Sequence, residues 1–264
     1  MSRWTDFPAQ IPKGMRAETM EQGNISCEWL TPEGAGDGVI YYTHGGGFVL
    51  PLYNALKNVT IRLADMTKRR VFLVHYRLAP ENPFPAAVDD CVAAWRWLIS
   101  EGGVDPKQAI IMGESAGGNL CVATTLALRD SGQPLPASIA SISPVYDLGD
   151  PRDPATTPDD PMVDPGFMNK QFAAYLNGVD ARHPLASPVY ADLRGLPPLL
   201  IQTGEIELLR PDAERLAARA LEAGVDVTLE VWPGMWHFWH IFYNVLPEAG
   251  AALESIKAFV DRQA

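Results

Sequence analysis

Positive charge is in short supply in this chain. Lysine and arginine number 21 against 32 aspartates and glutamates, for a formal net charge of −11. Such a balance offers no attraction to nucleic acid or to an anionic membrane surface, so neither is expected as a partner, and a polyanionic substrate is disfavoured. Cysteine is scarce too: Cys27, Cys91 and Cys121 are an odd number and form no C-x-x-C pair. No disulfide framework is therefore expected, and reduced thiols in a cytoplasmic protein are the natural reading, with Cys91 and Cys121 as small core residues. Long apolar runs are missing as well. No stretch of about 18 apolar residues exists to cross a membrane. Residues 1–14 are polar, contain proline and lack the apolar centre of a signal peptide. There is no internal repeat.

Core material, by contrast, is plentiful. Hydrophobic residues make up 47% of the 264, with seven tryptophans, which suits one α/β domain of ordinary size over 1–264. Short apolar runs at 26–30, 39–43, 70–76, 109–112, 138–143, 199–203 and 225–232 read as strands. They alternate with helical patterns at 54–67, 86–100, 118–129, 211–223 and 248–262. Strands separated by helices form βαβ units and a mainly parallel sheet, with the first strands antiparallel because no long helix precedes them. Ligands in such sheets sit beyond the carboxyl ends of the strands. One segment differs: 149–165 is rich in aspartate and proline, suits neither sheet nor core helix, and is followed by a helical pattern at 166–176. It reads as part of a cap over about 149–180, with a second contribution from about 1–24.

Two motifs lie where strands end. Gly113-Glu114-Ser115-Ala116-Gly117 is a G-x-S-x-G element between the strand at 109–112 and the following helix. A serine on a sharp strand-to-helix turn is held with its oxygen exposed above the sheet. His44-Gly45-Gly46-Gly47 follows the strand at 39–43. Its glycines let backbone N–H groups approach an oxyanion with no side chain between. At this chain's composition the first motif is expected by chance about 0.07 times and the second about 0.003 times. Together they point to a serine hydrolase.

A serine nucleophile needs a base, and the base needs an orienting carboxylate, in the chain order serine, acid, histidine. Of five histidines, His44 belongs to the glycine motif, and His75 and His183 accompany the wrong elements. His237 and His240 remain, after the last strand; His237 comes first past the Pro233-Gly234 turn and is preferred, His240 being one helical turn on. A metal pair from the two lacks nearby carboxylate ligands, so no metal is expected. For the acid, the loop after the strand at 199–203 offers Glu205, Glu207 and Asp212. Glu207 is preferred, because Glu205 leaves the strand at once and Asp212 falls early in a helix, where the dipole favours it.

These residues resemble the bacterial relatives of hormone-sensitive lipase in the α/β-hydrolase superfamily. The likeness runs from about Val39 to the C-terminus. It rests on His44 to Phe48, on Tyr76-Arg77-Leu78-Ala79-Pro80-Glu81 with Pro83-Phe84-Pro85-Ala86-Ala87, on Gly113 to Leu120, and on the His237 region. The resemblance implies a mainly parallel eight-stranded sheet flanked by helices, a helical cap, and carboxylesterase activity without a cofactor. It implies Ser115 as nucleophile, His237 as base, and an oxyanion hole from the N–H groups of Gly46, Gly47 and Ala116. Its acid is usually an Asp-Pro-Leu aspartate, and Glu207-Leu208-Leu209 occupies the matching place. Ala79–Pro80 and Phe84–Pro85 are candidate cis bonds.

Two departures from the family pattern stand out. The glycine motif begins at residue 44, where relatives carry a longer N-terminal contribution, so a reduced cap is expected. Val49-Leu50-Pro51-Leu52 replaces a small Gly-Ser pair and narrows or redirects the acyl side of the pocket. That pocket is expected to be apolar, lined by Phe48, Tyr53, Phe167, Met168, Ile206, Leu208, Trp236 and Phe238. The expected function is hydrolysis of short- to medium-chain acyl esters through an acyl-enzyme. The alternatives are an ε-lactone or xenobiotic ester hydrolase with the same triad, a lyase, an amidase, and a non-catalytic ligand-binding homologue. A homodimer through the last strand is a further implication of the resemblance.

Overall fold

The computed structural model describes residues 8–152 and 160–263. Its single sheet has the strand order β1-β2-β4-β3-β5-β6-β7-β8. β1 (Arg16–Gln22) and β2 (Ile25–Thr31) form an antiparallel hairpin. The two-residue turn starts at Gly23, whose φ of +61° suits the first position of a type II′ turn. β2 pairs antiparallel with β4 (Arg70–His75), and all later pairings are parallel: β4 with β3 (Val39–Thr43), then β5 (Ala109–Glu114), β6 (Ser138–Ile142), β7 (Leu199–Gly204) and β8 (Val227–Trp232). β3, β5, β6 and β7 are buried along their whole length, as a parallel sheet covered on both faces requires.

Helices cover the two faces. α1 (Asn54–Thr67) and α6 (Pro247–Arg262) pack Leu56, Leu63, Leu253 and Phe259 with Ile40, Ile110 and Leu200 on one side. On the other, α2 (Ala86–Ser100), α3 (Ala116–Asp130) and α5 (Arg210–Glu222) pack Trp95, Leu120 and Leu216 against Tyr41, Ile111 and Ile201. α4 (Pro165–Leu176) lies outside this alternation, capped by the Asp164 carboxylate, which accepts from Phe167 N at 2.6 Å. Cys27, Cys91 and Cys121 are buried and unpaired. Ala79–Pro80 and Phe84–Pro85 are both cis. Among the described residues no helix is long and apolar enough to cross a membrane.

One element escapes the sequence pattern. β1 reads Arg-Ala-Glu-Thr-Met-Glu-Gln and is almost wholly exposed. An edge strand with solvent on both faces needs no apolar alternation. Residues 16–22, assigned above to the cap, are therefore sheet; the earlier part of that segment, residues 1–7, lies outside the described residues.

Candidate active site

Five adjacent parallel strands, β3, β5, β6, β7 and β8, end at one edge of the sheet, and each delivers one part of the site. After β5 the chain turns into α3 through Ser115, at φ 55° and ψ −120°. A non-glycine residue there carries about 1–3 kcal/mol of strain, held by its surroundings. Ser115 N donates to Ile142 O at 2.9 Å, tying the turn to β6. The flanking glycines are needed for close approach: a Cβ on Gly113 or Gly117 would collide with the carbonyl oxygen of Thr43 on β3. Ser115 is only partly buried, with its side chain open to the cleft above.

The glycine run after β3 approaches the serine from the neighbouring strand. Gly46 and Gly47 have φ of +115° and +61°. A side chain at Gly46 would strike Leu50 O at 2.6 Å, and one at Gly47 would strike the Gln171 amide at 2.5 Å. Among the described residues the N–H groups of Gly46, Gly47 and Ala116 have no protein acceptor. The last of these is also the first N–H of the 15-residue α3, where the helix dipole favours negative charge. Glu114, buried beneath the loop, accepts Gly45 N on Oε1 at 2.6 Å. Burial pushes its carboxyl up to about 7, against the lowering effect of its hydrogen bonds. His44 turns away from the cleft. Its ring stacks on Tyr76 at 4.4 Å, and burial lowers it to about 4.

The loops after β7 and β8 meet beside the serine. Glu207 is fully buried, and His237 Nδ1 lies 2.9 Å from its Oε1. The other oxygen, Oε2, accepts from Gly204 N at 2.8 Å, Ser143 Oγ at 2.9 Å and Thr203 Oγ1 at 3.1 Å. A carboxylate with four donors around it is satisfied without water. Because an ionised carboxylate only accepts, the imidazole carries its proton on Nδ1, which leaves Nε2 as a free lone pair. Burial opposes the charged form of His237. The hydrogen bond and charge of Glu207, with the charges of Asp160 and Glu114, outweigh it and raise its pKa.

The other candidates separate cleanly. Glu205 is exposed and caps the turn by accepting Gly234 N at 2.8 Å. Asp212 is buried in an ion pair with Arg152 at 2.6 Å and accepts Tyr146 N and Asp147 N. His240 is buried, bonds Gln202 Oε1 through Nε2 at 2.8 Å, and is pushed down to about 3 by burial. His75 lies 3.8 Å from Glu28, and His183 accepts Leu185 N.

Ser115 and His237 share one cleft of about 160 Å³ with Gly45–Gly47, Glu114 and the cap. Of the expected lining, Tyr53, Phe167, Met168 and Phe238 are there. The other four are not. Phe48, at φ +64°, turns its ring into the core and stacks on Tyr175 at 3.9 Å. Leu208 is buried against the core, and Ile206 is 40% exposed on the turn after β7. Trp236 packs edge-on against Phe242. Leu50, Leu56, Met162, Val163, Gln171 and Phe172 complete the wall. Met162 to Phe172 come from the cap, where only Phe167 and Met168 were anticipated. The support residues Ser143 and Asp160 also escaped the sequence reading, since a lone serine at a strand end and one aspartate in an acidic run carry no pattern.

Comparison with known proteins agrees with this geometry. Residues 40–241 match a family model described as alpha/beta hydrolase fold. The chain is 42% identical over 252 residues to an acetyl-hydrolase of Streptomyces hygroscopicus, covering 95% of this chain and 83% of that protein. It is 32% identical to an esterase of Acinetobacter venetianus, covering 89% and 78%. Among solved structures, the esterase EstE5 superposes with a TM-score of 0.91 at 41% identity, covering 97% of this chain and 87% of that one. An esterase from the bacterial hormone-sensitive lipase family superposes at 0.90 and 42% identity, covering 96% and 86%. With its eight-stranded sheet, its serine elbow and its glycine loop at one sheet edge, the chain belongs to the bacterial hormone-sensitive-lipase-like esterases of the α/β-hydrolase superfamily.

Proposed function

We propose that this protein is a serine carboxylesterase acting on short- to medium-chain acyl esters through an acyl-enzyme. The observation that carries the reading is the buried Glu207 holding His237 Nδ1 at 2.9 Å in the cleft that Ser115 shares. With Nδ1–H donated to Glu207, Nε2 is the base. It takes the proton of Ser115 as Oγ attacks the ester carbonyl. The oxyanion so formed is met by the N–H groups of Gly46, Gly47 and Ala116, each worth about 3–4 kcal/mol of barrier in comparable sites. The imidazolium, stabilised by Glu207, returns the proton to the alkoxide as the C–O bond breaks and the alcohol leaves. Water then attacks the acyl-serine, giving its proton to His237, and Ser115 recovers it as the acid departs. No cofactor enters either half.

The acyl preference follows from the walls. Leu50, Leu56, Phe167, Phe172 and Phe238 make the cleft apolar, and about 160 Å³ favours small acyl groups over long ones. Residues 160–176 act as the cap, because α4 and the segment before it supply Met162 to Phe172; residues 153–159 of the expected cap lie outside the described residues. The three unpaired thiols fit a reducing compartment, and we place the protein in the cytoplasm. β8 is the outermost strand on its side of the sheet, and we assign it the homodimer contact; light scattering on the eluting peak reads the mass.

The test is hydrolysis of p-nitrophenyl esters from acetate to dodecanoate by the wild type and Ser115→Ala. The expected result is an optimum at short or medium chains, abolished in the variant, with wild-type Ser115 labelled by a phosphonate. A folded wild type that turns over none of them, and takes no label, overturns the assignment.

A further inference from the structure

Asp160 enters the site from outside every motif. It sits on the cap segment that leads into α4 and is 7% exposed. Its Oδ2 accepts two main-chain N–H groups, from His237 at 3.0 Å and from Leu208 at 3.2 Å, while Oδ1 accepts Met162 N at 2.9 Å. The first two donors belong to different loops. His237 follows β8, and Leu208 adjoins Glu207 in the loop after β7. One oxygen therefore bridges the main chains that carry the imidazole and its carboxylate. The loops also meet nearer the strand ends, where Ile206 N donates to Met235 O at 3.0 Å and Gly234 N to Glu205 Oε2 at 2.8 Å. Asp160, however, holds them beside the imidazole and its carboxylate, and an imidazole displaced by about 1 Å loses on the order of 100-fold in rate.

We propose that Asp160 is a positioning residue: its carboxylate, supplied by the cap, ties the His237 loop to the Glu207 loop and so sets the geometry between imidazole, Glu207 and Ser115. The inference deepens the esterase reading and rests on it for the consequence in rate. The cap is thereby coupled to the chemistry as well as to the shape of the cleft. The charge matters beside the hydrogen bonds. The groups facing His237 are Glu207 from the loop after β7, Glu114 from the end of β5, Asp160 from the cap, and His240 three residues on. The three carboxylates favour the imidazolium. Removing Asp160 takes away one of them, so the titration of His237 moves to lower pH.

Asp160→Ala and Asp160→Asn in the full chain separate the two effects. Alanine removes all the bonds and the charge, whereas asparagine keeps an oxygen for the two bridging N–H groups and removes the charge together with the Met162 bond. Three quantities are read: the His237 ring titration by NMR with 15N-labelled histidine, kcat and KM for p-nitrophenyl butanoate across pH, and the thermal midpoint. For Asp160→Ala we expect kcat lowered about 10- to 100-fold, KM within about threefold, and a His237 titration shifted downward. Asp160→Asn recovers most of kcat at the optimum yet keeps the downward shift. A folded Asp160→Ala with kcat within twofold of wild type and an unmoved titration overturns the proposal. So does Asp160→Asn matching Asp160→Ala in kcat, which reduces the residue to cap stability. If Asp160→Ala does not fold, Asp160→Asn alone decides through its titration: unmoved, it refutes. The NMR readout needs no turnover, so a wild type inactive on esters refutes the esterase reading while the bridge is still judged on the imidazole.

Discussion

Glu207→Gln probes the centre of the site. The three donors that converge on Oε2, from Ser143, Thr203 and Gly204, compel the amide to place its carbonyl oxygen there. Its NH2 group then faces His237 Nδ1, where Oε1 now accepts at 2.9 Å. A donor facing Nδ1 forces the other tautomer, with the proton on Nε2, and that nitrogen no longer accepts from Ser115. In serine proteases the equivalent exchange of carboxylate for amide lowers kcat about 10⁴-fold, with the fold intact. Here we expect about 10³–10⁴, which is about 4–5.5 kcal/mol of barrier. The residual activity carries a second mark. The wild-type His237 pKa is raised, so the active neutral form is lost as pH falls through that elevated value. Without the carboxylate the pKa drops, and the acid limb of kcat/KM moves to lower pH. Steady-state hydrolysis of p-nitrophenyl butanoate from pH 5 to 9 measures both, with Glu205→Gln as control, expected within about twofold because its acceptor oxygen is retained in an exposed cap. Loss of less than tenfold in Glu207→Gln, or an equal loss in Glu205→Gln, refutes the assignment.

Three further outcomes are expected. Gly46→Ala places a methyl against Leu50 O at φ +115°, so the oxyanion loop shifts and kcat falls about 10²–10³-fold, with phosphonate labelling slowed in parallel; an unchanged kcat rules out this loop as the oxyanion site. Leu50→Ala opens the cleft wall, and the ratio of kcat/KM for octanoate to that for butanoate rises at least about tenfold; an unmoved ratio places the acyl group elsewhere. Arg152→Leu strands the buried Asp212 carboxylate, to which Arg152 Nη2 donates at 2.6 Å, at a cost of about 3–5 kcal/mol. The thermal midpoint then falls by about 6–20 °C, and a fall under 2 °C shows that the pair at the root of the cap is not stabilising.

Three features were legible in the sequence because each has a local cause. The parallel strands declare themselves as continuous apolar runs, since burial on both faces leaves no room for polar alternation. Gly113 to Gly117 and His44 to Gly46 are visible because glycine at those places answers to backbone clashes within a few residues of the motif or with the adjacent strand. β1 was not legible. Its seven residues make their hydrogen bonds to β2 alone and bury almost nothing, so no selection for apolar side chains marks them. The cap lining was legible only in Phe167 and Met168; Gln171 is an ordinary helix residue until α4 is laid over Gly47.

The sequence by itself determined the serine turn and the glycine loop, because strand-to-helix turns are properties of neighbours, and it set the chain order in which an acid and a base are sought. It preferred Glu207 to Glu205 and Asp212 as the acid and His237 to His240 as the base, on chain position alone. The rivals stand two to five positions from Glu207 and His237, and which side chain reaches the cleft depends on how the loops leave β7 and β8. Only the tertiary structure decided that, by burying His240 against Gln202, spending Asp212 on Arg152 and Glu205 on a surface turn, and surrounding Glu207 with four donors from the ends of β6 and β7 and the loop after β8. The same packing brings Asp160 to His237 across 77 residues of chain, a distance over which no periodicity or motif carries information.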